Sequence, residues 1–187
     1  MRYDWQSLGT ISSKSYQCGF CSKDVAPSYA YYTHPNKVPR AYIYVCPHCS
    51  GPTFFDSEGR QTPGIRIGKE VSGISDAGVA ALYNEARDCA AAGAHTAAVL
   101  VCRKILMNIA VHNGDIEGRK FIEYIEFLKD KGYIPPNGSV WVDKIRVSGN
   151  EATHEIRIMT AAESALILSF VEMLLRFVYE FPSLVKP

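Results

Sequence analysis

The sequence predicts a mainly α protein in which about five helices follow a small β module that cysteines hold together. After Ser75, apolar residues recur at steps of three and four, which is the period of an amphipathic helix. Before Ser75, four cysteines form two Cys-x-x-Cys pairs, and residues 40–46 alternate in the manner of a strand. We therefore expect two domains, a cysteine module with its linker at residues 1–72 and a helical domain at residues 73–187.

The composition limits the class of protein. Of the 187 residues, 47% are hydrophobic and 21% are charged, which is ordinary for a globular protein. The formal net charge of +1 gives no global field that would attract a nucleic acid or an anionic membrane. The first ten residues lack the apolar core of a signal peptide, and charged residues interrupt the longest apolar stretch. We expect a cytoplasmic protein without a transmembrane segment.

Four cysteines carry the strongest chemical signal. Two residues separate the members of each pair and 24 residues separate the pairs, which consist of Cys18, Cys21, Cys46 and Cys49. Two such turns complete the tetrahedral sulfur set that zinc favours, and four sulfurs leave no open position for a catalytic water. The sequence therefore predicts a structural zinc ion in a β zinc ribbon. A disulfide or redox pair is the alternative, and His48 is a less favoured replacement for one cysteine.

Aromatic and basic residues occur together in the cysteine module, a composition that can stack on nucleic-acid bases. They are Tyr29, Tyr31, Tyr32, Tyr42, Tyr44, Lys23, Lys37 and Arg40. Four thiolates around one Zn²⁺ would carry a net negative charge, however, and tyrosine is also a common strand residue. We therefore favour packing or partner docking over nucleic-acid contact for this module.

Residues 50–75 are rich in glycine, serine and proline, which predicts a linker with one short strand at residues 65–67. We find no internal repeat. Three helices are then predicted, from about Val79 to a stop near Gly93, at about residues 96–111, and at about residues 119–131. The second is apolar nearly all round, so we expect it to be central.

Two more helices complete the predicted bundle. Trp141 and Ile145 indicate a short fourth helix, and a capping box at Thr160-x-x-Glu163 opens the last one. We expect the last helix to run to Glu180, where Pro182 ends it, and Glu172 and Arg176 to pair on its surface. Its apolar stripe, which we assign to the core rather than to a dimer surface, consists of Leu166, Phe170, Leu174 and Phe177.

The helical part resembles a known family. The matching text is "LYNEARDCAAAGAHTAAVLVCRKIL", then "GYIPP", then "GNEATHEI" after a tryptophan and an Ile-Arg pair, and finally "LLRFVYEFP". These stretches are similar to the mainly bacterial domain-of-unknown-function family four-one-four-five, which often carries an N-terminal zinc ribbon. That family is similar in turn to the HEPN superfamily of small helical bundles, and the resemblance implies a HEPN-like bundle and a homodimer.

Many HEPN proteins are metal-independent ribonucleases of defence systems, and the resemblance implies where such a site would lie. Asn150 and His154 match the polar residue and histidine of the HEPN motif, while Gly149 occupies the place of its arginine and Arg146 is the nearest substitute. His154 would transfer protons at the 2′-hydroxyl or the leaving oxygen, Arg146 would stabilise phosphate charge, and Asn150 would orient the imidazole.

A structural interpretation of the same residues is equally simple. Asn150 would cap a helix, His154 would bond a neighbouring carbonyl, and Arg146 would pair with an acidic neighbour. We therefore predict a nonenzymatic, nucleic-acid-related or defence-associated binding or assembly protein on a HEPN-like scaffold. A metal-independent endoribonuclease that uses Arg146, Asn150 and His154 is the alternative.

Overall fold

The structure is a computed structural model that describes residues 3–34, 40–135, 138, 141 and 157–185. The chain divides into two compact units, Met1–Arg66 and Ile67–Pro187. The first unit contains β-strands and the four paired cysteines, and the second contains the helices.

The described part of the first unit is an antiparallel β structure. A five-stranded sheet has the order β1-β4-β5-β6-β7, and β2 pairs with β3 in a separate hairpin. The strands are β1 (Gly9–Thr10), β2 (Tyr16–Gln17), β3 (Asp24–Val25), β4 (Tyr29–Tyr32), β5 (Tyr42–Val45), β6 (Pro52–Phe55) and β7 (Gln61–Thr62). The alternating residues that lead into the second cysteine pair form β5, as predicted.

The register of the strands gives the five-stranded sheet two different faces. Ala30 lies opposite Tyr44, and Tyr44 lies opposite Thr53, so these three side chains share one face, which we call the inner face. All three are buried. The residues between them, such as Tyr31 and Phe54, belong to the other face, which we call the outer face. The inner face holds the small core of this unit.

Four helices of ten residues or more occur in the described part of the second unit. They are α1 (Ala77–Ala91), α2 (His95–His112), α3 (Phe121–Asp130) and α4 (Ala161–Leu175), and a short α5 (Phe181–Leu184) follows. The side chain of Asp76 caps α1 by accepting the backbone N–H groups of Gly78 and Val79. Gly93, at φ +79°, follows the end of α1, where only a glycine adopts this conformation without strain. The first three helices therefore begin and end close to the predicted positions.

Helix α2 is the central element of the second unit, as its all-round apolar sequence predicted. It packs against α1, α3 and α4. Its buried side chains include Cys102, Ile105, Leu106 and Ile109, each without measurable exposure. A helix that packs against three others is stabilised by that packing rather than by its own propensity, so this unit is built around a conventional apolar core.

The chain that precedes α1 is fastened to the second unit by polar contacts. We call residues 67–70 the strap. Arg87, only 1% exposed, donates to the carbonyl oxygens of Ile67 and Gly68 at 3.0 and 2.9 Å. Tyr83 donates its hydroxyl to the carbonyl of Lys69, and Glu172 accepts the Lys69 backbone N–H. Since these contacts satisfy buried polar groups, the strap is an integral part of the second unit.

The last helix differs from its prediction at the C-terminal end. The capping box is present, because Glu163 accepts the backbone N–H of Thr160 while the Thr160 hydroxyl accepts that of Glu163. Glu172 and Arg176 pair at 2.9 Å, as predicted. Pro182 does not end the helix: a π-helical turn at Arg176–Glu180 leads into α5, where Pro182 lies in the first turn and needs no N–H partner. Of the predicted core stripe, Phe170 and Leu174 are buried, whereas Phe177 is 51% exposed.

The predicted fold class, a mainly α bundle of about five helices, is wrong. The described residues hold four helices of ten residues or more beside a five-stranded and a two-stranded sheet, so the chain is mixed α and β. The predicted linker contains β6 and β7, while residues 65–67 form no strand. The predicted fourth helix lies mostly outside the described residues. Nowhere in the described part is a helix both long and apolar enough to cross a lipid bilayer.

Candidate metal centre

Each cysteine pair lies at the tip of a hairpin, and the two tips have the same construction. Tyr16 pairs with Val25 around the first tip, and Tyr44 pairs with Thr53 around the second, 28 residues later. At both tips, the N–H of the first cysteine donates to the carbonyl five residues on, at 2.9 and 3.0 Å. The hairpins therefore present two equivalent pairs of sulfur atoms.

Two serines complete this equivalence. Ser22 and Ser50 each follow the second cysteine of their pair, with φ +56° and +60° respectively. Their N–H groups donate to the carbonyls of Cys18 and Cys46, both at 2.9 Å. The left-handed backbone conformation of each serine reverses the chain direction, so the second strand of each hairpin starts soon after the two cysteines.

The four sulfur atoms meet at the spacing that a tetrahedral metal ion requires. The Sγ atoms of Cys18 and Cys49 are 3.7 Å apart, those of Cys21 and Cys46 are 3.9 Å apart, and all four lie within 4.8 Å of one another. Zinc–sulfur bonds of about 2.3 Å give tetrahedral edges of about 3.8 Å. A disulfide would need about 2.05 Å. The cysteines are unbridged, and the donor set fits a metal ion.

Backbone N–H groups point at these sulfurs and favour their ionised forms. The N–H of Lys23 donates to Cys21 Sγ, and the equivalent N–H of Gly51 donates to Cys49 Sγ. Such N–H···S contacts stabilise thiolates, which are the species that coordinate a metal. They form the outer shell of the cluster.

The pKa values of the clustered thiols depend on one another and on the neighbouring backbone N–H groups. Burial raises the pKa of Cys46, but the backbone N–H groups of Cys49 and His48, together with the thiols of Cys49 and Cys18, outweigh it and lower that pKa to about 7. The N–H of Gly51 lowers the pKa of Cys49, but burial and the neighbouring sulfurs outweigh it and raise that pKa to about 12. Four thiolates repel one another, and a divalent cation among them would allow all four to ionise.

Gly19 is needed at the first tip because of a close neighbour rather than a tight turn. A Cβ atom at this position would lie 2.5 Å from the carbonyl oxygen of Gly64 and 2.6 Å from that of Pro63. Both are backbone atoms that cannot swing aside. The chain after β7 therefore passes directly over the first cysteine pair.

The other residues considered from the sequence do not join this cluster. His48 is exposed and contributes its backbone rather than its ring. Cys102 is fully buried in the helical core, where burial raises its pKa to about 12, and burial also raises the pKa of Cys89. Both thiols are therefore protonated groups that pack in or against the helical core.

The three predicted catalytic residues, Arg146, Asn150 and His154, lie outside the described residues. The structure therefore leaves that site as a prediction. Among the described histidines of the second unit, His95 contacts Ser164, with Nδ1 2.9 Å from Oγ. The Ser164 hydroxyl donates in turn to the carbonyl of Ala161, which makes it a tie between α2 and α4 rather than a nucleophile.

Residues 84–186 match the model of a family described as Domain of unknown function (DUF4145), which covers more than half of the chain. The chain belongs to this family. The match begins within α1 and extends beyond α5, so the helices of the second unit are the DUF4145 part of the chain, and the predicted family is confirmed. No curated protein and no solved structure matches the chain. The cysteine module lies outside the DUF4145 match.

The four cysteines that the sequence singles out do lie together, but the sequence did not indicate the residues that shape their surroundings. Ser22 and Ser50 were not singled out, although both cysteine pairs read Cys-x-x-Cys-Ser. The serine that follows both cysteine pairs was the sequence feature that could have indicated that the two hairpin tips have the same structure. Nothing in the sequence signals that the chain at Gly64 crosses Gly19, because the two are far apart along the chain.

Proposed function

We propose that this DUF4145 protein is a nonenzymatic binding or assembly protein in which a structural zinc ion holds the cysteine module together. Four sulfurs in one tetrahedral set support this proposal, because they leave no coordination position for a substrate or a catalytic water. The closeness of the sulfurs supports a metal site, and thiolate-only coordination favours zinc among the common metals. The ion would stabilise the fold of the cysteine module, and the five-stranded sheet of that module would bind the partner.

The observation that carries the proposal is the aromatic outer face of that sheet. Tyr29 is 58% exposed, Tyr31 is 43% exposed and Trp5 is 37% exposed. Half-buried Tyr3 and Phe54 join Trp5 in a three-ring cluster with ring centroids 5.6 to 6.2 Å apart. Exposed tyrosine, tryptophan and phenylalanine are enriched where proteins dock, since each buries much area at low entropic cost.

The charges around the outer face favour a protein partner over a nucleic acid there. Its strand positions in β4, β5 and β6 carry no charged side chain. Arg60, on the turn after β6, is paired with Asp56 at 2.6 Å and with Glu58 at 3.2 Å. Phosphate contacts dominate nucleic-acid affinity, and the described strand residues of this face include no cation for them.

The proposal includes the finer points that the sequence suggested. A cytoplasmic setting would keep the cysteines reduced and available for zinc. A role in bacterial defence, a homodimeric state and a kinship of the DUF4145 part with HEPN proteins rest on resemblance alone. A second copy of the chain and an unrelated protein are both candidate partners for the outer face.

Partner binding through the outer face is tested with the double substitution Trp5→Ser and Tyr31→Ser. Partners captured with the full chain from the source cells are identified, purified and titrated against the wild type by calorimetry, and self-association is followed by sedimentation. We expect the double variant to weaken the reconstituted complex by about a hundredfold, since two aromatic anchors are removed. Leu100→Ser, an equally exposed apolar residue on α2, is the control and should change the affinity less than about twofold.

Two outcomes would reject the proposal. One is a reconstituted complex that binds the double variant as tightly as the wild type. The other is turnover of RNA in EDTA that His154→Ala abolishes while the helical circular dichroism is unchanged, which would establish the ribonuclease alternative. That alternative rests on Arg146, Asn150 and His154, outside the described residues.

A further inference from the structure

The four cysteines of the candidate metal centre differ in their access to solvent. Cys18 is fully buried and Cys46 is 1% exposed, whereas Cys21 is half-buried and Cys49 is exposed. Cys21 and Cys49 nevertheless occupy the same position in two hairpin tips of the same construction. The difference in exposure between these two cysteines therefore comes from what covers each tip.

The first tip is covered by the chain that follows β7. The carbonyl oxygens of Pro63 and Gly64 lie within 2.6 Å of the place where a Cβ atom of Gly19 would be. The side chain of Gln61 fixes this chain, because its Nε2 atom donates to the carbonyl oxygens of Gln17 and Pro63 at 2.9 and 3.0 Å. Backbone that hydrogen bonds hold in place therefore shields the first cysteine pair.

The second tip has a smaller cover. The ring of Phe20 lies against Gly51, where a Cβ atom would come within 2.5 Å of a ring carbon. Residues 47–50 are nevertheless all exposed, and Cys49 is one of them. Of the four clustered cysteines, Cys49 is consequently the one that a small solute reaches most directly from water.

We propose that Cys49 is oxidised by hydrogen peroxide and that Cys18 completes the reaction by forming a disulfide with it. The inference rests on the zinc ion of the proposed function and goes beyond it, because it assigns a reversible modification that removes two zinc ligands. A cysteine that coordinates a metal is a thiolate, which is also the form that reacts with peroxide. Among several thiolates, solvent exposure decides which one is oxidised first.

Two displacements account for all atoms and electrons. In the first, the Cys49 thiolate attacks one peroxide oxygen, the O–O bond breaks, and hydroxide leaves behind a sulfenic acid on Cys49. In the second, the Cys18 thiolate attacks the Cys49 sulfur, the S–O bond breaks, and a second hydroxide leaves. The two sulfur atoms together lose two electrons, which the peroxide gains.

The position of Cys18 suits this second step. Its Sγ atom lies 3.7 Å from that of Cys49, so an approach of about 1.7 Å brings the pair to the disulfide length of about 2.05 Å. Cys21 and Cys46, with sulfurs 3.9 Å apart, would form a second disulfide with a second peroxide molecule. Both bridges join one hairpin tip to the other, and a thiol reductant would restore all four thiolates.

The test is oxidation of the zinc-loaded full chain by hydrogen peroxide, with zinc release followed by a chromophoric chelator. Sulfenic acid is trapped with dimedone, and both the trapped residue and the disulfides are located by mass spectrometry of fragmented peptides. We expect zinc to be released, dimedone to mark Cys49, and the first disulfide to join Cys49 to Cys18. A thiol reductant and added zinc should return the chain to its starting state.

Two histidine substitutions at equivalent positions form a matched pair. Cys49→His and Cys21→His each leave three sulfurs and one imidazole, a set that also binds zinc. Only Cys21→His keeps both Cys18 and Cys49. At the same peroxide concentration, we expect Cys49→His to release zinc at least about tenfold more slowly than Cys21→His. Cys89→Ser, which lies outside the cluster, should react at the wild-type rate. The residue that dimedone marks in the wild type tests the inference independently of these variants.

Three results would overturn the inference. The first is a sulfenic acid on another cysteine of the cluster, or a first disulfide within one tip. The second is an equal rate of zinc release from the two histidine variants. The third is retention of zinc under conditions that oxidise free cysteine completely. Failure of the proposed function is distinguishable from these results, because a full chain that binds no zinc would reject the metal site before any peroxide is added.

Discussion

The two units of this chain achieve a stable fold by different means. The buried apolar cluster of the described cysteine module contains six residues, two of which are the metal-site cysteines Cys18 and Cys46. The corresponding cluster of the described DUF4145 unit contains 24 residues and is centred on α2. A core of six residues offsets little of the conformational entropy of a 66-residue unit, so the first unit needs another source of stability.

This difference concerns the source of folding stability in each unit. Structural zinc contributes about 10–16 kcal/mol of apparent binding free energy, which becomes folding energy. The proposed zinc ion would supply this stability at the two hairpin tips, which would allow the sheet to leave aromatic side chains such as Tyr29 and Tyr31 exposed. The helical unit has to bury its apolar residues to stay folded, and it buries most of them. Three experiments test this contrast.

The largest effect is expected from loss of the proposed zinc ion. Cys46→Ser, or removal of zinc with a strong chelator, should unfold the cysteine module, because the expected loss of about 10 kcal/mol exceeds what such a small core supplies. The helical circular dichroism signal should be retained. Backbone amide spectra of the full chain measure both units at once. Cys89→Ser is the matched control, and disappearance of helical resonances in Cys46→Ser would show that the two units do not differ in this way.

A smaller effect, confined to the other unit, is expected from Phe170→Ala. Phe170 is 1% exposed and its ring lies 5.9 Å from that of Trp141, so truncation leaves a cavity in the helical core. We expect the free energy of unfolding to fall by about 3–5 kcal/mol, measured by denaturant titration at 222 nm. Zinc affinity should be unchanged, and exposed Ser169→Ala serves as the neutral control. Weaker zinc binding in Phe170→Ala would contradict the independence of the two units.

The smallest effect concerns the capping box of α4. The backbone N–H and the hydroxyl of Thr160 lower the pKa of Glu163, and Arg157 lowers it further. Since the folded pKa is below the unfolded one, this carboxylate stabilises the fold fully above about pH 5, and its contribution is lost as the pH falls through the folded value. Glu163→Gln should therefore cost about 1 kcal/mol at pH 7 and less at an acidic pH below the folded pKa, measured by thermal unfolding at 222 nm. A cost that is the same at both pH values would exclude the charge as its cause.

The sequence was most informative where chemistry depends on local spacing. Cys-x-x-Cys pairs bring two sulfurs to one turn whatever the rest of the chain does, and Thr160 with Glu163 forms a capping box within four residues. Helices α1, α2 and α3 were also foreseen, because the apolar period of three and four residues is a local pattern.

Features that depend on pairing between distant residues were missed. Residues 52–55 begin with a proline and lie among glycines, which suggested a linker, yet they form the strand between β5 and β7. Pro52 is tolerated because it is the first residue of its strand. Strands of two residues, such as β1 and β7, are too short to show an alternating pattern at all. The fold class was therefore misjudged in the part of the chain where local signals are weakest.

The strap has a consequence for where the DUF4145 unit can be cut. The family match begins at residue 84. The guanidinium of Arg87, however, donates to the carbonyl oxygens of Ile67 and Gly68, which precede that boundary. A fragment that starts within α1, or even just before it, would leave a positive charge facing an apolar interior with those acceptors removed. The smallest autonomous piece of this unit accordingly starts some seventeen residues ahead of the family boundary, at Ile67.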